Sequence, residues 1–210
     1  MTIIEELISR YPVLECCKEG ILTAVDKIIK SYENGGKVLI CGNGGSSSDS
    51  GHIVGELMKG FLKMRPIADA QRAEMKQNNP SISDEIINAL QGSLPAINLT
   101  ENSALISAFT NDVDPLLSYA QQVMGYGKAG DILIGISTSG NAVNVFDAFQ
   151  VAKALGVVTI ALTGKDGGKL KSAADVNIIV PEKETFKIQE LHLPVYHCIC
   201  AMVEEHFYKV

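Results

Sequence analysis

Five short apolar runs, Lys37–Cys41, Ala96–Leu99, Asp131–Ile136, Val157–Leu162 and Val176–Val180, recur along the chain with helix-patterned segments between them. A strand with one wet face alternates apolar and polar residues. Ile132-Leu133-Ile134 and Val38-Leu39-Ile40 do not alternate, so they read as strands covered on both faces. Strands of that kind separated by helices favour a parallel sheet with helices above and below it. The chain therefore predicts an α/β fold that is doubly wound and three-layered, with a central parallel sheet flanked by helices and no internal repeat. Ahead of the first strand, Ile3, Leu7, Ile8, Leu14, Ile21, Leu22, Val25, Ile28 and Ile29 predict one or two amphipathic helices, stopped at Gly35-Gly36.

Two of these strands empty into polar, glycine-rich turns. After Ile136 come Ser137, Thr138, Ser139, Gly140 and Asn141, then a helical pattern from Ala142 to Leu155. Three hydroxyls, a glycine that lets backbone approach a ligand, and the free amides of a helix start together suit a phosphate. A Ser/Thr/Gly turn before a helix is also ordinary N-capping, so the motif alone does not decide. The second turn, Gly42-Asn-Gly-Gly-Ser-Ser-Ser-Asp49, follows Cys41 and precedes another helical segment. In an open parallel sheet both turns lie at the carboxyl edge of the strands, where ligands bind. Neither has the spacing of a Walker loop or of a GxGxxG fingerprint, so no nucleotide cofactor is expected.

At 210 residues and 46% hydrophobic content the chain can build one substantial core. A formal charge of −6 argues against a broad nucleic-acid or acidic-membrane footprint, while leaving room for a local phosphate site. Cys16, Cys17, Cys41, Cys198 and Cys200 are an odd set without paired CxxC spacing, which predicts reduced, packing thiols. Met1 to Leu7 lacks a basic signal region, and no apolar run is long enough for a bilayer, so a cytoplasmic location is expected.

Between the first two strands the connection is long. Ala68–Gln77 has helical composition, Asn78-Asn-Pro80 breaks it, and Ser81–Asp84 resembles a capping signal before Ile86, Ile87 and Leu90. Two short helices are expected within an insertion over residues 66–94, either a surface elaboration or a lid that tunes specificity.

Four blocks then carry a specific resemblance: Cys41-Gly-Asn-Gly-Gly-Ser46 with Asp49, His52 and Glu56; Asn111-Asp112; Gly135-Ile-Ser-Thr-Ser-Gly-Asn141; and Leu162-Thr-Gly-Lys-Asp-Gly-Gly-Lys169, followed by Ile188-Gln-Glu-Leu-His192 and His197. In order and over most of the chain they resemble the sugar isomerase (SIS) domain of the phosphoheptose isomerase family. The resemblance implies a single SIS domain spanning residues 1–210 and aldose–ketose isomerisation of a phosphorylated sugar. Sedoheptulose 7-phosphate to D-glycero-D-manno-heptose 7-phosphate, through an enediol, is the leading reaction. Alternatives are another phosphosugar, or a noncatalytic DiaA-like SIS protein that binds sugar phosphates or proteins. It also implies a homotetramer with active sites at subunit interfaces.

Residue by residue, the resemblance makes Glu56 the base and His197 the acid, with Asn43, Gly44, Ser46, Asp112, Ser137, Thr138, Ser139 and Gln189 around the substrate. His52 and Gln189 match residues that line the site or bind zinc in some members, and with Glu56 and His197 they offer a mixed N/O set suited to that metal. Spacing independently puts His52 and Glu56 on one helix face, although an isolated pair of this kind is also read as a structural hydrogen bond. Asp112 is equally a turn former in Asn111–Pro115. His192 and Glu190 are packing or interface candidates, and Pro194 should disturb its helix. The chain departs from the family pattern at Gly60 and Ala142, where a basic residue and a hydroxyl are common. Lys59, Lys187 and Arg65 are the candidates to replace the lost charge.

Overall fold

The computed structural model describes residues 1–208. At its centre lies a sheet of β1 (Val38–Gly42), β2 (Ala96–Asn98), β3 (Ile132–Ser137), β4 (Val158–Thr163) and β5 (Val176–Ile179), in the order β2-β1-β3-β4-β5. Every neighbouring pair is parallel. Each expected strand is present, its ends displaced by no more than one residue.

Successive strand residues point to opposite faces, and the two cores follow that alternation. Ile40, Ile134, Ile160 and Ile178 meet α2 (Lys18–Glu33), α3 (Gly45–Met58) and α10 (Thr185–Phe207), with α1 (Ile3–Arg10) packed outside them. Leu39, Cys41, Leu133 and Ala161 face the other way, toward α7 (Ser118–Tyr126), α8 (Val143–Ala154) and α9 (Leu170–Ala173). Phe149 is wholly buried in this second core. Truncating it to alanine would cost about 3–5 kcal/mol, the lost transfer energy plus the cavity left behind.

Far from the strands' carboxyl ends, buried Asp131 keeps β1 and β3 in register. It accepts from the Lys37 backbone N–H at 2.9 Å, the Lys128 N–H at 2.8 Å and the Lys37 ammonium at 2.6 Å. With those donors in place its charge is satisfied; removing Lys37 would strand part of it.

The expected pair of helices between α3 and β2 is also there: α4 (Asp69–Asn78) and α5 (Asp84–Ala89). The Ser83 hydroxyl caps α5 by accepting from Ile86 N–H at 3.2 Å. No residue of α4 is buried and α5 buries Ile87, so this segment adds little to either core. A 3₁₀ turn (Pro12–Cys17) and α6 (Ser103–Asp112) complete the described elements. Among the described residues no helix is long and apolar enough to cross a membrane.

Candidate active site

From β1 the chain crosses to β2 on one side, while β3 pairs with β1 on the other. The crevice between the ends of β1 and β3 is therefore the point where the winding reverses, the place where open α/β sheets bind ligands. Gly42 stands opposite Ile136, so the two polar turns leave the sheet side by side. Asn43 and Asn144 tie them together, each amide nitrogen donating to the other's oxygen at 2.9 Å. Tyr119 supports the first turn from below, its hydroxyl donating to the Gly42 carbonyl at 2.7 Å.

The first turn is tighter than its sequence suggested. Ser46 N–H donates to the Asn43 carbonyl and Ser47 N–H to the Gly44 carbonyl, both at 3.0 Å, so α3 already begins at Gly45 and Ser46–Asp49 lie in its opening turns. Gly44 takes a positive φ of 56°, which lets the chain reverse into the helix without a Cβ penalty.

In the second turn Ser137 is buried while Thr138 and Ser139 are half-buried. Gly140 has a φ of 66°, and a Cβ there would collide with the Gly167 carbonyl in the adjoining loop. Ala142, at the N-cap of α8, has no side chain to cap the helix. Val145 N–H donates to Asn144 Oδ1 at 3.1 Å and Asn141 N–H to Ser139 Oγ at 3.2 Å, so the first amides of α8, at Val143 and Asn144, are the ones that keep the helix's positive end for an anion.

Two turns along α3, the chemistry changes. His52 Nε2 lies 3.0 Å from Glu56 Oε1, the i,i+4 contact expected from spacing. His197, brought over on α10, places its Nε2 3.4 Å from His52 Nε2, and Phe61 packs on its ring at 5.4 Å. Glu56 Oε2 is buried without a hydrogen-bond partner. Burial lowers the His197 pKa, the neighbouring His52 adds to that, and Glu56 opposes both. Asp49 and Tyr196 complete the cluster: the phenol donates to Asp49 Oδ1 at 3.2 Å and meets His52 Nδ1 at 3.0 Å. Nothing in the sequence singled out Tyr196, which lies in an apolar run; Asp49, three residues before His52 on the same helix, carried the only available signal.

The remaining candidates fall elsewhere. Gln189 lies against the first turn, where its amide fills the space a Cβ on Gly45 would need, and it makes no described hydrogen bond to the histidine pair. Asp112 is exposed at the end of α6 and accepts from Asn111 Nδ2 at 2.8 Å. Arg65 cannot replace a lost phosphate contact: it is fully buried, donates to Glu204 at 2.7 Å, and caps α3 through the Glu56 and Leu57 carbonyls. Lys187 is engaged by Glu184. Lys59 remains, exposed, with its ammonium 3.9 Å from Glu56 Oε2.

His192 is wholly buried, and neither ring nitrogen has a hydrogen-bond partner. Burial pushes its pKa down to about 4, the nearby Thr163 backbone offsetting this only in part. Pro194 sits inside α10, which nevertheless runs 23 residues; the helix gives up the hydrogen bond that Pro194 cannot donate.

His52, Glu56 and His197 each bring one ligand atom, all within 4.8 Å of one another. Two imidazoles and a carboxylate with a free oxygen form a donor set that fits a divalent metal.

Comparisons with known proteins identify the family to which the whole chain is similar. A family model described as the SIS domain matches residues 5–93 and 86–164. The phosphoheptose isomerase of Clostridium acetobutylicum is 38% identical over 190 residues, 90% of this chain and 84% of the relative. That of Helicobacter pylori is 38% identical over 194 residues, 92% of this chain and 88% of the relative. Among solved structures, the phosphoheptose isomerase GmhA from Neisseria gonorrhoeae superposes with a TM-score of 0.75 at 31% identity, covering 96% of this chain and 94% of that one. A phosphoheptose isomerase from Francisella tularensis gives 0.74 at 30%, with the same coverage.

Proposed function

We propose that this chain, which belongs to the phosphoheptose isomerase family of SIS-domain proteins, interconverts sedoheptulose 7-phosphate and D-glycero-D-manno-heptose 7-phosphate. The observation that carries the chemistry is Glu56, whose buried Oε2 has no hydrogen-bond partner beside two histidines.

The phosphate occupies the switch-point crevice, held by Ser137, Thr138, Ser139 and Ser46 and by the amides of α8. Asn43, Gly44, Asp112 and Gln189 are the proposed contacts to the rest of the sugar. An α-helix rises about 1.5 Å per residue, so His52 stands roughly 10 Å along α3 from its first residue, a span suited to an extended sugar phosphate. Holding the far end in this way limits the poses of the reacting carbons.

At those carbons Glu56 takes a proton from the hydroxymethyl carbon next to the ketose carbonyl. The carbon's electron pair forms the enediol double bond, and the carbonyl oxygen gains a proton from His197. Return of the carbon-bound proton to the neighbouring carbon, with loss of the hydroxyl proton from the terminal oxygen to the imidazole, gives the aldose and restores both groups. The reaction consumes no oxidant.

Zinc bound by His52, Glu56, Gln189 and His197 would supply Lewis-acid polarisation of the substrate oxygens. The reading takes the chain as one SIS unit with an insertion at 66–94, working in the cytoplasm; its five free cysteines are in keeping with a reducing compartment. A homotetramer with active sites at subunit interfaces is part of the same proposal. Its support is a groove of about 320 Å³ beside His197, lined by α1 and α10 and flanked by exposed Leu62 and Leu193.

The test is to incubate the purified protein with a panel of ketose and aldose phosphates and follow exchange by NMR. Turnover of sedoheptulose 7-phosphate with solvent deuterium entering at the reacting carbon is expected. Turnover of a different phosphosugar instead would reassign the substrate, and none at all would remove the catalytic reading.

A further inference from the structure

Past Met58 the chain leaves helical geometry at the extended Lys59, so the last carbonyls of α3 lose the amides four residues on that would have met them. Gly60 N–H turns instead to Gln91 Oε1 at 2.7 Å, and Phe61 N–H to Glu204 Oε1 at 2.8 Å. Arg65 fills the gap. Its Nη2 donates to the Glu56 carbonyl at 2.9 Å and its Nη1 to the Leu57 carbonyl at 2.7 Å, while its Nε donates to Glu204 Oε1 at 2.7 Å. The other oxygen of Glu204 accepts from Leu62 N–H at 2.7 Å and Lys63 N–H at 3.1 Å. One carboxylate thus gathers three consecutive amides and a guanidinium.

Both members of this pair are buried. A buried ion pair is a weak source of stability, because desolvating two charges offsets much of their attraction. What this one fixes is direction. Glu204 follows His197 by about two helical turns on α10, which puts both on one face of the helix. The loop that Glu204 grips carries Phe61, whose ring packs on that of His197 with centroids 5.4 Å apart. Arg65 grips the backbone of Glu56 itself. We propose that Arg65 and Glu204 are positioning residues, a buried clamp that fixes the end of α3 to α10 and so sets the base Glu56 against the acid His197, with Phe61 steadying the imidazole. The consequence for rate rests on the isomerase reading; the clamp itself does not.

The experiment uses full-length protein. Glu204→Gln keeps the shape of the side chain but leaves three amides and a guanidinium to share one acceptor oxygen. Hydrogen exchange read by mass spectrometry should show the amides of residues 61–63 exchanging at least about tenfold faster. Its kcat on sedoheptulose 7-phosphate should fall about 10- to 100-fold, as for reacting groups misplaced by about an ångström. KM should stay within about twofold, because the phosphate cradle is untouched. Arg65→Lys keeps the charge but not the three diverging donors, and should behave alike. Removing one partner of a buried pair endangers the fold, so a double variant, Arg65→Met with Glu204→Leu, removes both charges and strands neither. A pair that served stability alone would be replaced by this apolar couple with kcat restored; the clamp requires kcat as low as in Glu204→Gln. Wild-type kcat in the folded double variant, or unchanged exchange at residues 61–63, would overturn the proposal. A wild type that turns over no phosphosugar sinks the isomerase reading alone, and the exchange comparison then decides the clamp.

Discussion

The two ends of the active-site crevice are built from different materials. At the proposed phosphate end, recognition rests on neutral groups: hydroxyls of Ser137–Ser139, the uncapped start of α8, and a pair of asparagines linking the two turns. At the proposed chemical end, titratable groups from α3 and α10 crowd together, with His52, Glu56 and His197 offering ligand atoms within 4.8 Å. The first end is set by backbone direction at the sheet edge and does not depend on pH through its own groups. The second is set by side chains whose protonation is tuned by burial and by one another. Binding and chemistry should therefore separate under mutation.

The sharpest separation should come from Glu56→Gln and His197→Asn, which keep approximate size but remove the base and the titrating ring. A positioned general acid or base typically contributes about 10²- to 10⁴-fold, so kcat should fall by that order while sugar-phosphate affinity by calorimetry changes little. Near-normal turnover by folded forms of both variants would break the assignment of chemistry to this end.

Ser137→Ala combined with Ser139→Ala should do the opposite. A hydrogen bond to a charged group is worth about 1.5–3 kcal/mol, so affinity for the phosphorylated ligand should drop at least about tenfold with the fold intact. Unchanged binding would mean that the anion is held elsewhere.

His192, buried behind the site, should register in stability rather than in either function. Its folded pKa of about 4 lies below its ordinary value of 6.5. Above the unfolded value both states are neutral and the group contributes no pH dependence. As pH falls from there to the folded value, only the unfolded chain takes up the proton, so stability declines, by about 3 kcal/mol in all. Below the folded value the loss stops growing. Chemical denaturation across that window should reveal the decline, and His192→Leu should flatten it; an equally steep profile in that variant would assign the acid sensitivity to other groups.

The smallest effect is expected from shortening the insertion between Ala68 and Leu90, because α4 buries no residue. A lid would reveal itself as an altered substrate profile at unchanged assembly, whereas an unaltered profile leaves a surface elaboration.

Much of this architecture could be read before any coordinates. Short apolar runs marked all five strands, unbroken at Val38–Cys41 and Ile132–Ile136 because a strand covered on both faces tolerates few polar residues, and the glycine-rich turns marked the crevice. The capping signal at Ser81–Asp84 and the break at Asn78–Pro80 likewise announced the two helices of the insertion, and the structure gives the cap to Ser83. The start of α3 was placed late because Ser46–Asp49 have the composition of a loop. Their helical state depends on amides reaching back to Asn43 and Gly44, which composition does not express. Arg65 was the larger misreading. As a charge near the site it resembled a phosphate contact, yet Glu204, 139 residues away in sequence, draws it into the core.

By itself the sequence determined the elements, the crevice-forming turns and the helical face shared by His52 and Glu56, because each depends on residues within a few positions of one another. Only the tertiary structure decided the partners. His197 and Tyr196 reach His52 across 145 and 144 residues because α10 packs on α3. That packing brings Tyr196 and Asp49 to His52 Nδ1 and leaves Nε2 toward Glu56. Which side chains meet across such a separation is set by how the two helices pack, and no local pattern encodes it.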